Sequence, residues 1–320
     1  MDEFDLIQRY FARAPVGNDV LLGIGDDCAV VQPPVGRHLV MSIDTMVEGV
    51  HFPVDTKPER IGVRAMCAAL SDLAAMGARP HWFTLALTMP ASNPDWVAEF
   101  SEGVFSIANR YECSLIGGDT TRGPLCISVQ VHGSVVPGQA LRRSGARPDD
   151  IIYVTGNLGD AAAALAVIDK KMTVSPGVAA YLQKRFYAPT PRIREGELLA
   201  GTASSAIDIS DGLCADLEKI CQASGAGALV DVNRLPISSL WRDYTDEGQR
   251  LAWALAGGDD YQLCFTVPRA HVPKVEGWIK EGKIVATAIG KITDKQGMVL
   301  AKEGKPYEFT NKGFNHFGEQ

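Results

Sequence analysis

Six stretches of this 320-residue chain bring aspartate to the end of an apolar run or into a glycine-rich corner: Gly23–Asp27 (GIGDD), Ser42–Thr45 (SIDT), Leu70–Asp72 (LSD), Gly117–Thr120 (GGDT), Ile207–Gly212 (IDISDG) and Gly257–Asp260 (GGDD). One such Asp reads as a turn former or a helix N-cap. Repeated after strand-like runs, the pattern asks for a rigid sheet whose ends carry acidic loops, the usual place for an active site. Asp72 differs, because it lies within a largely apolar helical stretch.

Hydrophobic periodicity supplies the sheet and its helices. Phe4, Leu6, Ile7, Tyr10 and Phe11 give a short helix over 2–11. Strands are expected at 20–24, 38–43, 83–89, 114–116 and around Ile127, Val129 and Val131. Pro58 opens a helix that Gly77 stops, and Pro94 opens a second with Trp96, Val97, Phe100, Val104 and Ile107 inward. Residues 138–150 are polar, basic and contain Gly and Pro, which suits a linker or functional loop. A second series follows, with helices at 160–170, 192–199, 213–224 and 272–280 and strands at 151–154, 206–209, 229–232, 262–267 and 286–292. Helices and strands intermix throughout, so the class is α/β, or mixed α+β. The expected domains are 1–137 and 151–320, joined by the 138–150 loop.

Composition narrows the function. With 46% hydrophobic and 22% charged residues the chain is globular. Its net charge of −7 disfavours general nucleic-acid binding. No apolar run approaches the ~20 residues of a membrane span, and the acidic start does not read as a secretory signal. The seven cysteines are scattered and never spaced C-x-x-C, so buried thiols in a reducing cytoplasm are expected instead of disulfides or zinc.

If several of the aspartates converge, they repel. Two charges ~4 Å apart cost on the order of 4 kcal/mol at an effective dielectric of 20. A cation must offset that, or the carboxyls must hold protons. Oxygen ligands with few Cys or His nearby select Mg²⁺, Mn²⁺ or Ca²⁺ over zinc. Gly117-Gly118 and Gly257-Gly258 let backbone N–H groups approach a phosphate, and Arg142, Arg143 and Arg147 add positive charge. The chain has no G-x-x-x-x-G-K-[ST], G-x-S-x-G, H-E-x-x-H or protein-kinase motif set. A nucleotide would therefore bind through a metal-rich acidic site and not a P-loop.

GIGDDCAVV, SIDTMVEGVHF, LSDLAAMGARP, LIGGDTTRGP, RSGARPDDIIYVTG, AIDISDGL and AGGDDYQLCF occur in that order. Together they closely resemble the thiamine-monophosphate kinases, members of the ATP-dependent aminoimidazole ribotide synthetase superfamily, over essentially the whole chain. The resemblance implies a two-domain fold with N-terminal domains paired in a homodimer, and transfer of phosphate from ATP to thiamine monophosphate. It also implies roles: Asp27, Ser42, Asp44, Asp72, Asp119, Asp208 and Asp211 bind several Mg²⁺ ions; Gly118, Asp119, Arg143 and Ser210 contact ATP; His51, Asp259 and Phe314 contact thiamine monophosphate. Ile43 stands where relatives often carry Thr, leaving its backbone carbonyl for a metal. Asp259 stands where Glu is common, and Gln262 where an acidic residue often follows the Tyr. The acceptor phosphate is already deprotonated near pH 7, its second pKa being ~6, so no general base is assigned, and Arg143 is a candidate charge stabiliser. The alternatives are another enzyme of the superfamily, a metal-dependent phosphohydrolase, and a non-catalytic metal-binding scaffold.

Overall fold

The computed structural model describes residues 3–12, 16–310 and 313. Phe314 lies outside them. The chain divides into two compact units, Met1–Leu73 with Ala78–Pro137, and Ala74–Gly77 with Gly138–Gln320.

In the first unit, α1 (Glu3–Leu6) runs into a π-helical turn, Ile7–Phe11, before the short pair β1 (Val20–Leu22) and β2 (Val30–Val31). Then come β3 (His38–Val47), α2 (Pro58–Ala75), β4 (Arg79–Met89), α3 (Pro94–Arg110), β5 (Ser114–Arg122) and β6 (Cys126–Val135). The four long strands form one sheet in the order β3-β6-β4-β5, parallel only between β4 and β5. Pro58 opens α2 as the sequence suggests, and Gly77, at φ +66°, closes it with the Gly77 and Ala78 amides donating to the Ala74 and Leu73 carbonyls. Asn93 caps α3 by accepting from the Trp96 amide, and Val97, Phe100, Val104 and Ile107 are buried beneath it.

The second unit contains β7 (Ile151–Thr155), α4 (Asp160–Ile168), α5 (Pro176–Tyr187), α6 (Ile193–Leu199), β8 (Ser205–Ile209), α7 (Leu213–Ser224) and β9 (Gly227–Asp231). It continues with α8 (Glu247–Ala256), β10 (Gln262–Val267), α9 (Val272–Lys280), β11 (Ala286–Thr293), β12 (Gly297–Lys302) and β13 (Lys305–Pro306). Its sheet runs β13-β12-β9-β11-β7-β10-β8, antiparallel except between β12 and β9. The class is therefore mixed α and β. Ile152, Val154, Ile207, Ile209, Leu217, Ile220, Val230 and Cys264 form the centre of one core.

Two expectations about the acidic segments need correction. Gly117-Gly118 is not a corner, since β5 continues through it to Arg122. Asp44 and Asp119 lie inside strands and not beyond strand ends, while Asp208 lies near the end of β8, within the strand expected at 206–209. Helices α5 and α8 and the β12–β13 hairpin add to the elements expected from periodicity. Five of the seven thiols are buried, but Cys28 is exposed and Cys126 half-buried. Among the described residues no helix is long and apolar enough to cross a membrane.

Candidate active site

In the first unit, the GIGDD loop faces β5 across a cleft of about 590 Å³ lined by Ile7, Phe11, Gly25, Asp27, Gly118 and Asp119 among others. That size suits a small-molecule ligand. Gly118 is fixed by space: it pairs with Leu85 of β4, and a Cβ there would stand 1.9 Å from the Leu85 carbonyl oxygen. Only glycine lets β5 approach β4 this closely, and that approach sets where Asp119 begins. The Asp27 amide donates to Asp26 Oδ1 (2.9 Å), so Asp26 shapes the loop opposite.

A second acidic group sits on β3. Ser42 donates its hydroxyl to Asp72 on α2 in a very short hydrogen bond. Alternation along β3 puts Ser42 and Asp44 on the half-buried face and leaves Leu39, Met41 and Ile43 exposed at 43%, 61% and 61%. His51 follows in the next loop. Its Nδ1 accepts from the Val47 amide (3.0 Å), which leaves Nε2 as the protonated nitrogen of the neutral ring. Its carbonyl accepts from the buried Arg64 (3.0 Å).

The register shows which groups one copy of the chain brings together. Asp44 aligns with Val129, Leu85 and Gly118 across the sheet, so Asp119 aligns with Ala86, Ser128 and Thr45. Residues in one row share a face. Asp119 and Asp44 thus stand on opposite faces at opposite edges, three strand spacings or roughly 14 Å apart. The first unit therefore joins Asp27 with Gly118 and Asp119, and Ser42 with Asp72, as separate groups. Among the described residues no three His, Cys, Asp or Glu side chains are grouped to hold a metal ion.

The second unit gathers its residues around the loop after β8. Asp208 is buried within β8, while Ser210 and Asp211 are half-buried just beyond it. Their loop is held by a residue the sequence reading passed over: Asp216 Oδ2 accepts both the Ser210 and Asp211 amides at 3.0 Å. Lys219, one turn further along α7, joins the Asp211 and Asp216 carboxylates. Burial raises the Asp216 carboxyl above its ordinary range. Burial also pulls the Lys219 ammonium down, but the hydrogen bonds it donates to both carboxylates outweigh that and hold it above its ordinary value. The IDISDGL stretch, with a carboxylate four residues after Gly212, carried a signal for Asp216.

Asp259 sits in the turn before β10, its amide donating to the Ser210 carbonyl (2.8 Å) and its Oδ1 accepting from the Tyr261 hydroxyl (3.3 Å). Gly313 lies against the same loop, where a Cβ would meet the Asp211 carbonyl oxygen at 2.3 Å. Arg143 is exposed, and its carbonyl accepts from Ser224 Oγ (3.2 Å), which steadies the basic loop. Gln262, buried, accepts from Thr155 (2.9 Å) and Arg192 (2.8 Å).

Ser134, His81 and Asp19 have the residue types of a hydrolytic triad but not its chemistry. Ser134 is fully buried, and its Oγ takes the Arg37 Nε–H (2.7 Å) as well as the His81 ring (2.7 Å). Burial lowers the His81 pKa, consistent with a packing role.

Each unit thus carries its own acidic group on a mixed sheet. Residues 25–135 match the model of the AIR synthase related protein N-terminal domain, and residues 147–303 that of the C-terminal domain. The chain is 48% identical to the thiamine-monophosphate kinase of Salmonella typhimurium over 98% of both chains. The crystal structure of thiamine-monophosphate kinase from Stenotrophomonas maltophilia K279a matches with a TM-score of 0.87 at 43% identity, covering 96% of this chain and 98% of that one. AaThiL complexed with AMPPCP and TMP matches with a TM-score of 0.78 at 31% identity, over 92% of each. The chain belongs to the thiamine-monophosphate kinase family.

Proposed function

We propose that this chain transfers the γ-phosphoryl group of ATP directly to thiamine monophosphate, giving ADP and thiamine diphosphate. The observation that carries this reading is full-length kinship: 48% identity over 98% of both chains to a thiamine-monophosphate kinase. A more distant relative complexed with AMPPCP and TMP supports the same pair of substrates.

The side chains suit such a transfer. Asp26, Asp27 and Asp119 line the 590 Å³ cleft beside Gly118; Asp27 and Asp119 are its proposed metal ligands, and the ATP phosphates are assigned to this cleft. Ser42, Asp44, Asp72, Asp208 and Asp211 are the further proposed metal ligands, with the Ile43 carbonyl. This oxygen-only set fits Mg²⁺. Bound Mg²⁺ would neutralise phosphate charge in the approach and in the transition state. Arg143 and Ser210 are assigned to ATP, Arg143 as a fork for phosphate oxygens. His51 and Asp259 are assigned to the acceptor. Phe314, outside the described residues, keeps its proposed place against the thiamine rings. The nucleophile is an acceptor phosphate oxygen that needs no base, so transfer runs in line without a phosphoenzyme.

The reading requires a homodimer. Ser42, Asp44 and Asp72 stand at one edge of the sheet and Asp119 at the other. The exposed edge strand β3, with Leu39, Met41 and Ile43 on its outer face, is the surface assigned to the second copy. The place of work is the cytoplasm, where ATP is supplied and the seven unpaired thiols stay reduced.

The test is ADP release by the purified chain with MgATP, with and without thiamine monophosphate. Release that depends on the acceptor supports the kinase. Phosphate release without it supports a hydrolase, and metal binding without turnover a scaffold.

A further inference from the structure

The turn that carries Asp259 is held in an unusual backbone conformation. Asp259 and Tyr261 have φ of +68° and +47°, where L-residues are rarely found. Such conformations persist only when the surroundings over-determine them. Asp260 lies between the two and is 3% exposed. Its Oδ2 accepts the Gly159 amide at 2.6 Å and its Oδ1 the Ala161 amide at 3.2 Å. Those donors belong to the start of α4, whose own N-cap residue, Gly159, has no side chain to offer. Asp260 therefore caps a helix a hundred residues away in sequence. Its carbonyl accepts from Gln262 Nε2 (3.2 Å), and the amides on either side, Asp259 and Tyr261, each donate at 2.8 Å to the Ser210 and Ile209 carbonyls.

Stability alone is a poor reason for this arrangement. The Asp260 carboxyl is buried beside Asp160, which accepts from Trp241 Nε1 (2.7 Å) and Tyr181 and has Arg185 Nε 3.3 Å away without hydrogen-bond alignment. Burial foremost, with the Asp160 charge adding to it, pushes the Asp260 carboxyl up to about 8 against the Gly159 and Ala161 amides that favour its charged form. A neutral cap would avoid that cost.

We propose that Asp260 is a positioning residue for the acceptor side of the reaction: by fastening the Gly257–Tyr261 turn to the N-terminus of α4, it fixes the direction of the Asp259 carboxylate. This deepens the kinase reading and rests on the assignment of Asp259 to thiamine monophosphate.

The test uses the full chain and compares D260N, D259N and the double variant in steady-state kinetics, with circular dichroism and thermal melting alongside. The amide introduced in D260N keeps one acceptor and turns an NH₂ toward the other donor. The expected result is a KM for thiamine monophosphate raised roughly tenfold in D260N, with the ATP KM within about twofold of wild type. Coupled residues are non-additive, so the double variant should be no worse than D259N alone. An unchanged acceptor KM in D260N while D259N is impaired overturns the positioning role and leaves the kinase reading standing. An unchanged acceptor KM in D259N removes Asp259 from the acceptor site, and the inference with it. Equal increases in both KM values mark a general structural role and also overturn it. D260S serves if D260N does not fold and must show the same split. If neither variant folds, Asp260 acts through global stability and the proposal fails.

Discussion

The Lys219 ammonium lies 2.7 Å from Asp211 Oδ2 and also holds the buried Asp216 at 2.8 Å. A side-chain cation thus sits on a carboxylate assigned to a divalent ion. Replacing Lys219 with Met should have two opposite effects. The fold should lose about 1–3 kcal/mol, because Asp216 keeps only its two backbone donors. The Mg²⁺ concentration for half-maximal rate should fall, because Asp211 is released to the metal. Urea unfolding and a Mg²⁺ titration of the rate check both, and a higher Mg²⁺ requirement would remove Lys219 as a competitor.

Gly118→Ala places a methyl group where the Leu85 carbonyl oxygen already stands, 1.9 Å away. Overpacking of this kind costs about 1–3 kcal/mol. The strand must move away from β4 and carry Asp119 with it, so the ATP KM should rise as the melting temperature falls. An unchanged melting temperature would contradict the close approach.

Asp260 should leave a signature in the pH dependence of stability. Its folded pKa, raised to about 8 by burial and by the nearby Asp160, exceeds the ordinary carboxylate value of 3.8. The folded chain then binds more protons than the unfolded one between those limits. This residue's contribution to stability therefore falls as pH rises through the window and is constant above it. The charges facing it are Asp160 and, through Asp160, Arg185. In chemical denaturation from pH 5 to pH 8, D260N should gain steadily relative to wild type. A constant difference would contradict the sign.

Thiol labelling reports the cleft directly. Cys28 is exposed and lines the cleft beside Asp27, whereas burial pushes the Cys67 and Cys214 thiols up to about 12 and Cys221 up to about 11. Iodoacetamide at neutral pH should alkylate Cys28 first, with half-buried Cys126 following. MgATP should slow the Cys28 reaction. Peptide mass spectrometry reads both, and labelling of Cys28 at the same rate with and without MgATP would move the nucleotide elsewhere.

Local signals were legible in the sequence where one residue fixes the backbone. Pro58 and Gly77 mark α2, and the apolar stripe from Val97 to Ile107 marks α3. Two missed helices carried similar signals: Ser175 before Pro176 caps α5, and Asp246 caps α8 by accepting from the Gln249 amide. The apolar stripe of α5 is weak, but that of α8 is as marked as those of α2 and α7, so α8 was legible from both its stripe and its cap. Glycine misled at Gly117-Gly118, because close strand approach and a turn call for the same residue. The left-handed pair Glu303 and Gly304 joins β12 to β13 in a hairpin that the sequence analysis did not anticipate. Long-range relations were not legible at all. Nothing local to Ser42 announces Asp72, and nothing near Asp260 announces Gly159. Sequence order also gives no hint that Asp44 and Asp119 occupy opposite faces, since strand order and register decide that.

Direct phosphoryl transfer to thiamine monophosphate fixes the product stoichiometry. The purified chain is given MgATP and thiamine monophosphate, and ADP, free phosphate and thiamine diphosphate are quantified together by mass spectrometry and ³¹P NMR. One thiamine diphosphate should form for each ADP, with no accumulation of free phosphate and a loss of roughly a hundredfold or more in Asp119→Asn. ADP and free phosphate accumulating while thiamine monophosphate remains unchanged would contradict direct transfer.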